Sequence, residues 1–428
     1  MSFFDRLRSS HRALVTLGIL GGSFLAAMEA TIVATAMPTV VAQFGGLNHY
    51  SWVFSGYMLT STVTTPVWGR IADVHGRRRP YLVALALFLL GSLLSGVSTS
   101  MTQLIAFRTV QGIGAGGLLP IGMVIIGDMY TLAERARAQA LFAGVWGVSS
   151  IAGPLIGAIL TESVSWRLIF FINLPFGLIP AILVGKYLID KLGQGRGDVD
   201  YVGAGVLMGT VTALMLALTQ TGVPDASLSP GVVKALYAVA VVLAIVFVAL
   251  ERRTAHPILP LSLLGDRMVA TTTCTGTLLG LAIFGALAFV PLYVQSALGR
   301  SAREAGSVLT PLLLGWVGMS IVTGRMLPRV GFRSFIVGGL VCVSLGFVGL
   351  AALQPSSGLL VMQGYLGLMG IGMGMTMLSL MLAVQSAVVR ERLGVATSLS
   401  QFTRSIGGAI GVAAMGAVVA ASAASGGN

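Results

Sequence analysis

Apolar residues in this chain gather into thirteen long stretches, separated by shorter connections that hold most of the charge. The stretches fall at approximately 13–36, 50–69, 80–98, 102–126, 138–160, 167–187, 201–220, 231–250, 268–294, 305–326, 334–352, 357–382 and 395–422. A helix that crosses a bilayer needs about 20 mainly apolar residues. The pattern therefore predicts an all-α integral membrane protein with about thirteen spans.

Charge placement supports the count independently. With the N-terminus placed in the cytoplasm, inward positions collect Arg6, Arg8, Arg12, then Arg70, Arg77, Arg78, Arg79, then Arg135 and Arg137. They continue with Lys186, Lys191, Arg196, then Arg252, Arg253, Arg267, then Arg325, Arg329, Arg333, and finally Arg390 and Arg392. Twenty of the 26 basic residues are thus on one side, as expected when Lys and Arg accumulate in cytoplasmic loops. Outward loops and their edges hold Arg167, Lys234, Arg300 and Arg303, while Arg108 and Arg404 lie within spans. The expected location is a plasma (bacterial inner) membrane, crossed many times.

Composition closes off other classes. Apolar residues make up 55% and charged residues 9%, against roughly 25% charged in soluble domains. The 57 glycines lie inside apolar runs without a collagen-like period. A soluble enzyme, a disordered tail and a fibrous protein are excluded. The formal net charge of +12 would suggest nucleic acid in a soluble protein, but its division among alternate loops follows the bilayer instead. The basic start runs into an apolar stretch too long for a cleavable signal, and it reads as the first span. Cys274 and Cys342 sit far apart in apolar stretches, as buried small hydrophobes do. His11, His49, His75 and His256 are never at ligand spacing, so no metal site is expected.

Few passages carry chemistry. Gly112-Ile-Gly-Ala-Gly-Gly117 matches G-x-G-x-x-G but lies in an apolar helix, not between a strand and a helix as a dinucleotide site requires. No Walker-type phosphate loop occurs, so direct drive by ATP is unsupported, and no nucleophile–base set suggests an enzyme. Glu29 is the only acid well inside a span. An ionised, unpaired carboxylate there costs several kcal/mol, which makes such residues functional by default. At ~1.5 Å per residue, Glu29 lies roughly 24 Å beyond Ala13 and Arg108 roughly 10 Å inward of Met101. Both are in the outer half, where an encounter, direct or through water, is possible. Arg108 pinning backbone carbonyls is the bland alternative, and it does not exclude coupling.

The loop Gly69-Arg-Ile-Ala-Asp73-Val-His-Gly76-Arg77-Arg78-Arg79 has a weaker echo in Gly324-Arg-Met-Leu-Pro-Arg329-Val-Gly331-Phe-Arg333. A repeated loop motif points to two homologous halves. The first copy resembles the cytoplasmic signature loop of the major facilitator superfamily, G-x-L-x-D-R-x-G-R-R. Leu104-Ile-Ala-Phe-Arg108-Thr-Val-Gln111-Gly112-Ile-Gly114 is similar to the superfamily's fourth-helix motif, whose arginine is linked to proton movement. Ser149-Ser-Ile-Ala-Gly153-Pro154-Leu-Ile-Gly157-Ala158 resembles the fifth-helix antiporter motif, with Ser149 and Ala158 in place of two glycines. Leu25 to Pro38 resembles the first-helix motif of EmrB/QacA-type drug/proton antiporters, with Glu29 for the usual aspartate and Ala34 for the asparagine.

The resemblance covers nearly the whole chain and carries several implications. It implies the superfamily fold, two six-helix bundles plus a central helix pair: 1–188 as the first bundle, 189–267 as a linker with two additional helices, and 268–428 as the second bundle with five helices. Measured against the fourteen-helix branch, thirteen spans leave the last helix unaccounted for, by absence, truncation or miscount. It implies proton coupling by Glu29 and Arg108, a gating loop of Gly69, Asp73, Gly76 and Arg77, and an antiporter motif of Gly153, Pro154 and Gly157. Trp52, Tyr57, Gln111 and the methionines from Met369 to Met381 are candidates for lining a substrate cavity, although methionines at helical spacing more often pack. Arg404 has no obvious carboxylate partner; backbone or water contacts are favoured over a substrate role. The implied function is export of amphipathic or cationic small molecules by proton antiport through alternating access. The partners are protons, an amphiphilic substrate and the lipid bilayer, with no cofactor, no nucleic acid and a periplasmic adaptor protein left open. Export of one metabolite or lipid, or a ligand sensor that does not transport, are the alternatives.

Overall fold

The computed structural model describes residues 3–45, 50–189, 199–221, 228–254, 257–259, 261–296, 298–300, 302–354 and 358–425. Lys191, Arg196, His49, His256 and the last three residues lie outside the described residues. Every regular element among the described residues is helical. The first half comprises α1 (Phe3–Phe44), α2 (Tyr50–His75), α3 (Arg78–Gly96), α4 (Met101–Met129), α5 (Leu132–Ser163) and the split sixth span, α6 (Leu168–Phe171) with α7 (Asn173–Tyr187). Then come α8 (Tyr201–Gln220) and α9 (Pro230–Glu251). The second half comprises α10 (Arg267–Ser296), the split pair α11 (Ala302–Val308) and α12 (Thr310–Val330), α13 (Phe332–Ala351), α14 (Leu359–Ser386) and α15 (Leu393–Ser425).

Among the described residues, eleven of the thirteen expected spans are, by themselves, long and apolar enough to cross a membrane. Helix α2 carries more polar residues, and the halves meet along α2 and α15. In α2 the polar residues bind the neighbouring helix. Thr60, Thr64 and Thr65 donate to the α4 carbonyls of Thr109 (2.9 Å), Ile113 (3.3 Å) and Gly116 (3.2 Å), and Trp68 Nε1 donates to Ile113 (2.8 Å). Such bonds hold helices together where lipid offers no hydrophobic drive. The glycines of the G-x-G-x-x-G match do the complementary work. A Cβ at Gly112 or Gly116 would strike α2, and one at Gly114 would strike Phe88 and Ala84 of α3. The match is thus a packing device.

The two halves cross in a pseudo-symmetric way. Gly69 of α2 packs on α15, where a Cβ would come within 2.7 Å of the Gly394 carbonyl. Its repeat counterpart, Gly324 of α12, packs on α5, where a Cβ would come within 2.7 Å of the Ala136 carbonyl. The later glycines of both motif copies, Gly76 and Gly331, share φ 84°, a left-handed backbone that glycine adopts without steric cost. The repeat legible in the sequence is therefore a repeat in geometry. Helices α8 and α9 pack on each other and share an apolar cluster with the two halves that includes Val63, Leu207, Val211, Phe247, Val395 and Leu399. Val241, Val242 and Ile245 of α9 point outward and stay exposed, as a lipid-facing helix requires.

Candidate functional site

The centre of the first half is a buried polar network contributed by its helices. Arg108 Nη1 lies 2.5 Å from Glu29 Oε1, with the two side chains 1% and 0% exposed. The same nitrogen donates to Gln111 Oε1 one turn on (2.8 Å), and Nε donates to the Val53 carbonyl of α2 (3.4 Å). The guanidinium carbon sits 4.2 Å from the centre of the Tyr57 ring, a cation–π placement. Asn173, the first residue of α7, donates through Nδ2 to Glu29 Oε2 (2.6 Å) and to Ser92 Oγ of α3 (2.9 Å). Ser92 in turn donates to the Phe170 carbonyl (2.8 Å). Each oxygen of Glu29 thus accepts a charge-assisted bond, and the Asn173 Oδ1 is buried without a partner.

The encounter between Glu29 and Arg108 is direct. Tyr57 and Gln111, expected to line a substrate cavity, belong to this network, at 6% and 0% exposed. Trp52 is half-buried next to Val53. Asn173 and Ser92 were not singled out in the sequence; an asparagine within an apolar span was the available signal for the first, and a lone serine gives none.

A second cluster closes the end of the molecule that carries the basic loops. Asp73, buried at the end of α2, pairs with Arg77 (2.8 Å) and accepts from the backbone N–H groups of Gly394 and Val395 (2.9 Å each). Those donors are the free N–H groups of the first turn of α15, where negative charge is favoured. Arg77 also binds Asp128 (3.0 Å) and donates to the Arg390 carbonyl (3.3 Å), and Arg390 donates to the Asp128 carbonyl (2.6 Å). The expected loop motif is therefore a fastening between the halves, with Asp128 and Arg390 as additional members. One layer deeper, Gln139 Nε2 of α5 donates to Gln385 Oε1 of α14 (2.8 Å), and Gln385 Nε2 to Thr397 Oγ1 of α15 (3.1 Å).

The fifth-helix motif connects these two regions. Helix α5 runs unbroken through Pro154. A Cβ at Gly153 would strike Thr31 Oγ1, and one at Gly157 would strike Thr35 Oγ1. Ser149 Oγ donates to the Phe24 carbonyl (3.4 Å), and Thr31 Oγ1 donates to the Ser149 carbonyl (3.3 Å). The small residues thus press α5 against the turns of α1 that flank Glu29. A neighbouring face of α5 meets α12, since a Cβ at Gly147 would come within 2.6 Å of Val317. Met369 and Met373 are buried in the packing of the second half. Arg404 is half-buried and donates to Gln401 Oε1. Among the described residues, no cluster of three or more His, Cys, Asp or Glu side chains is placed to hold a metal ion.

With this geometry in view, similarity to known proteins is informative. The family description "Major Facilitator Superfamily" matches residues 19–412. The chain is 36% identical over 412 residues to the Multidrug transporter protein MdtP of Bacillus subtilis (strain 168), covering 96% of this chain and 76% of the relative. It is 34% identical over 404 residues to Multidrug resistance protein 3 of the same strain, covering 94% and 79%. Among solved structures, the human organic anion transporter MFSD10 (TETRAN) aligns with a TM-score of 0.71 over 95% of this chain and 94% of that one. At 14% identity that likeness concerns the fold alone.

Proposed function

Because this chain belongs to the Major Facilitator Superfamily, as a multi-pass membrane transporter and not an enzyme, we propose that it exports amphipathic small molecules in exchange for protons. The proposal includes membership of the fourteen-helix drug/proton antiporter branch, supported by the first- and fifth-helix motifs and by the α8–α9 pair. It also includes a plasma-membrane location with the basic loops in the cytoplasm, supported by the charge asymmetry.

The observation that carries the reading is the Glu29–Arg108 pair, buried and hydrogen-bonded within one half. A carboxylate that gains a proton loses its attraction for the guanidinium, so protonation and deprotonation give the site two arrangements. Helix α1 carries Glu29 and is pressed by Gly153 and Gly157 to α5, which also forms the contact with α12. A change at Glu29 is thus passed to a helix at the boundary between halves. When the basic end is fastened by Asp73, Arg77, Asp128 and Arg390, the cavity opens outward; breaking those contacts permits the inward opening. No cofactor enters this scheme, since the proton gradient supplies the energy. A cationic substrate would have to displace Arg108 from Glu29.

Reconstituted protein with an imposed pH gradient tests the proposal. Amphiphilic dye efflux should be accompanied by proton movement in the opposite direction and should stop in Glu29→Gln. Gradient-driven export by that variant at the wild-type rate would refute the coupling.

A further inference from the structure

We propose that Arg404 is the receptor for a negatively charged group on the substrate, so that the transporter favours amphiphiles bearing one carboxylate or similar acid over cations. The inference deepens the export reading above and rests on it. Arg404 is eleven residues into α15, roughly 16 Å along the axis, and a hydrocarbon core is about 30 Å thick. It therefore sits near the midplane. Its guanidinium donates to Gln401 Oε1, and the Gln401 amide nitrogen lies 3.8 Å from the Met123 sulfur of α4. That face of α15 is thus turned toward the other half of the protein. On the α10 side, Gly280 packs closely on the Arg404 carbonyl and on the Cγ of its side chain.

Among the described residues the cation has no counter-charge, and its hydrogen-bond partner is the neutral Gln401. Residues 268–428 contain only two acids, Glu304 and Glu391. Glu304 is half-buried and 3.5 Å from Arg300. Glu391 is exposed in the short turn Arg390–Arg392, thirteen residues ahead of Arg404 and roughly 20 Å away along the axis. Glu29, the acid buried within the first half, is already engaged by Arg108 (2.5 Å) and Asn173 (2.6 Å) and is 0% exposed. The charges well inside the spans are therefore one carboxylate and two guanidinium groups. Arg77 and Arg390 of the basic end both have Asp128; among the described residues Arg404 pairs with no acid. An isolated cation in a low-dielectric region is costly, and a ligand carboxylate restores the missing charge with a geometry that matches the guanidinium fork. A cationic ligand at the same place meets repulsion.

Binding to the full chain in nanodiscs tests this without transport. Three probes share one dansyl body and carry a carboxylate, a primary amide or a quaternary ammonium. The wild type should bind the carboxylate at least tenfold tighter than the quaternary ammonium. Arg404→Gln should bring that ratio to about one, and Arg404→Lys should keep its sign. Because the readout is a ratio, a general loss of affinity does not imitate it. A ratio unchanged in Arg404→Gln, a wild-type preference for the cation, or binding of none of the probes would overturn the proposal. The same probes in proteoliposomes separate the two readings. A carboxylate probe that binds with the expected ratio yet does not move under a pH gradient sinks the export function and leaves the Arg404 site standing.

Discussion

Removing Glu29 strands a charge, and the cost depends on what replaces it. In the wild type, Glu29 Oε1 takes Arg108 (2.5 Å) and Oε2 takes Asn173 (2.6 Å), all out of contact with solvent. Glu29→Leu leaves Arg108 with Gln111, the Val53 carbonyl and the Tyr57 ring, none of them charged. Breaking a buried pair in this way typically costs about 3–5 kcal/mol. Glu29→Gln retains one oxygen for Arg108. Its amide hydrogens then face the Asn173 Nδ2, a donor, unless Asn173 turns its amide and presents Oδ1, which has no partner in the wild type. That turn gives up the bond to Ser92, so the net loss is near one charge-assisted bond, about 1.5–3 kcal/mol. Glu29→Gln should therefore fold and lose gradient-driven export, while Glu29→Leu is markedly less stable. Glu29→Leu/Arg108→Leu removes both charges and should recover most of what the single change lost, because a coupled buried pair is non-additive. Denaturant unfolding in micelles, followed by tryptophan fluorescence, measures the cycle. A double variant destabilised by the sum of the two single changes would show that the pair is not a unit, and would refute both the magnitude and its basis.

Other expectations follow from the same contacts. Glu29→Asp shortens the side chain by one methylene, roughly 1.5 Å, and should retain partial transport; export equal to that of Glu29→Gln would count against a carboxylate requirement. Asp73→Asn weakens the contacts to Arg77, Gly394 and Val395, and should slow transport while leaving substrate affinity within a few-fold. Greater labelling of cysteines placed at the basic end is the check, and labelling unchanged from wild type would argue against a gate there. Gly153→Ala drives a methyl group into Thr31, which costs about 1–3 kcal/mol by overpacking and should impair export. Gly144→Ala, on the same helix with open space at its Cβ, should leave export rates near wild type; equal loss in both would mean that backbone freedom along α5, not contact with α1, explains the glycine.

How much of this was legible without coordinates follows from the range of each effect. Span number, helical class and the repeat came from the sequence alone, because a bilayer imposes a local length and composition on each segment. The loop echo identified Gly76 and Gly331 before their shared φ of 84° was seen. Glu29 and Arg108 were likewise marked by the cost of charge in lipid, which depends only on depth along one helix. Their direct contact was not determined, nor that Tyr57 and Gln111 support it. Those depend on how α1, α2 and α4 are rotated against one another, which hydropathy does not encode when all their faces are largely apolar. Asn173 and Asp128 became visible only when distant segments met, 144 residues from Glu29 in one case and 51 residues from Arg77 in the other. The isolation of Arg404 is partly a sequence property, since residues 268–428 contain only two acids. Only the tertiary structure shows that Glu29 is engaged elsewhere, because a salt bridge is a relation between two helices, and one chain position cannot state whether its partner is already taken.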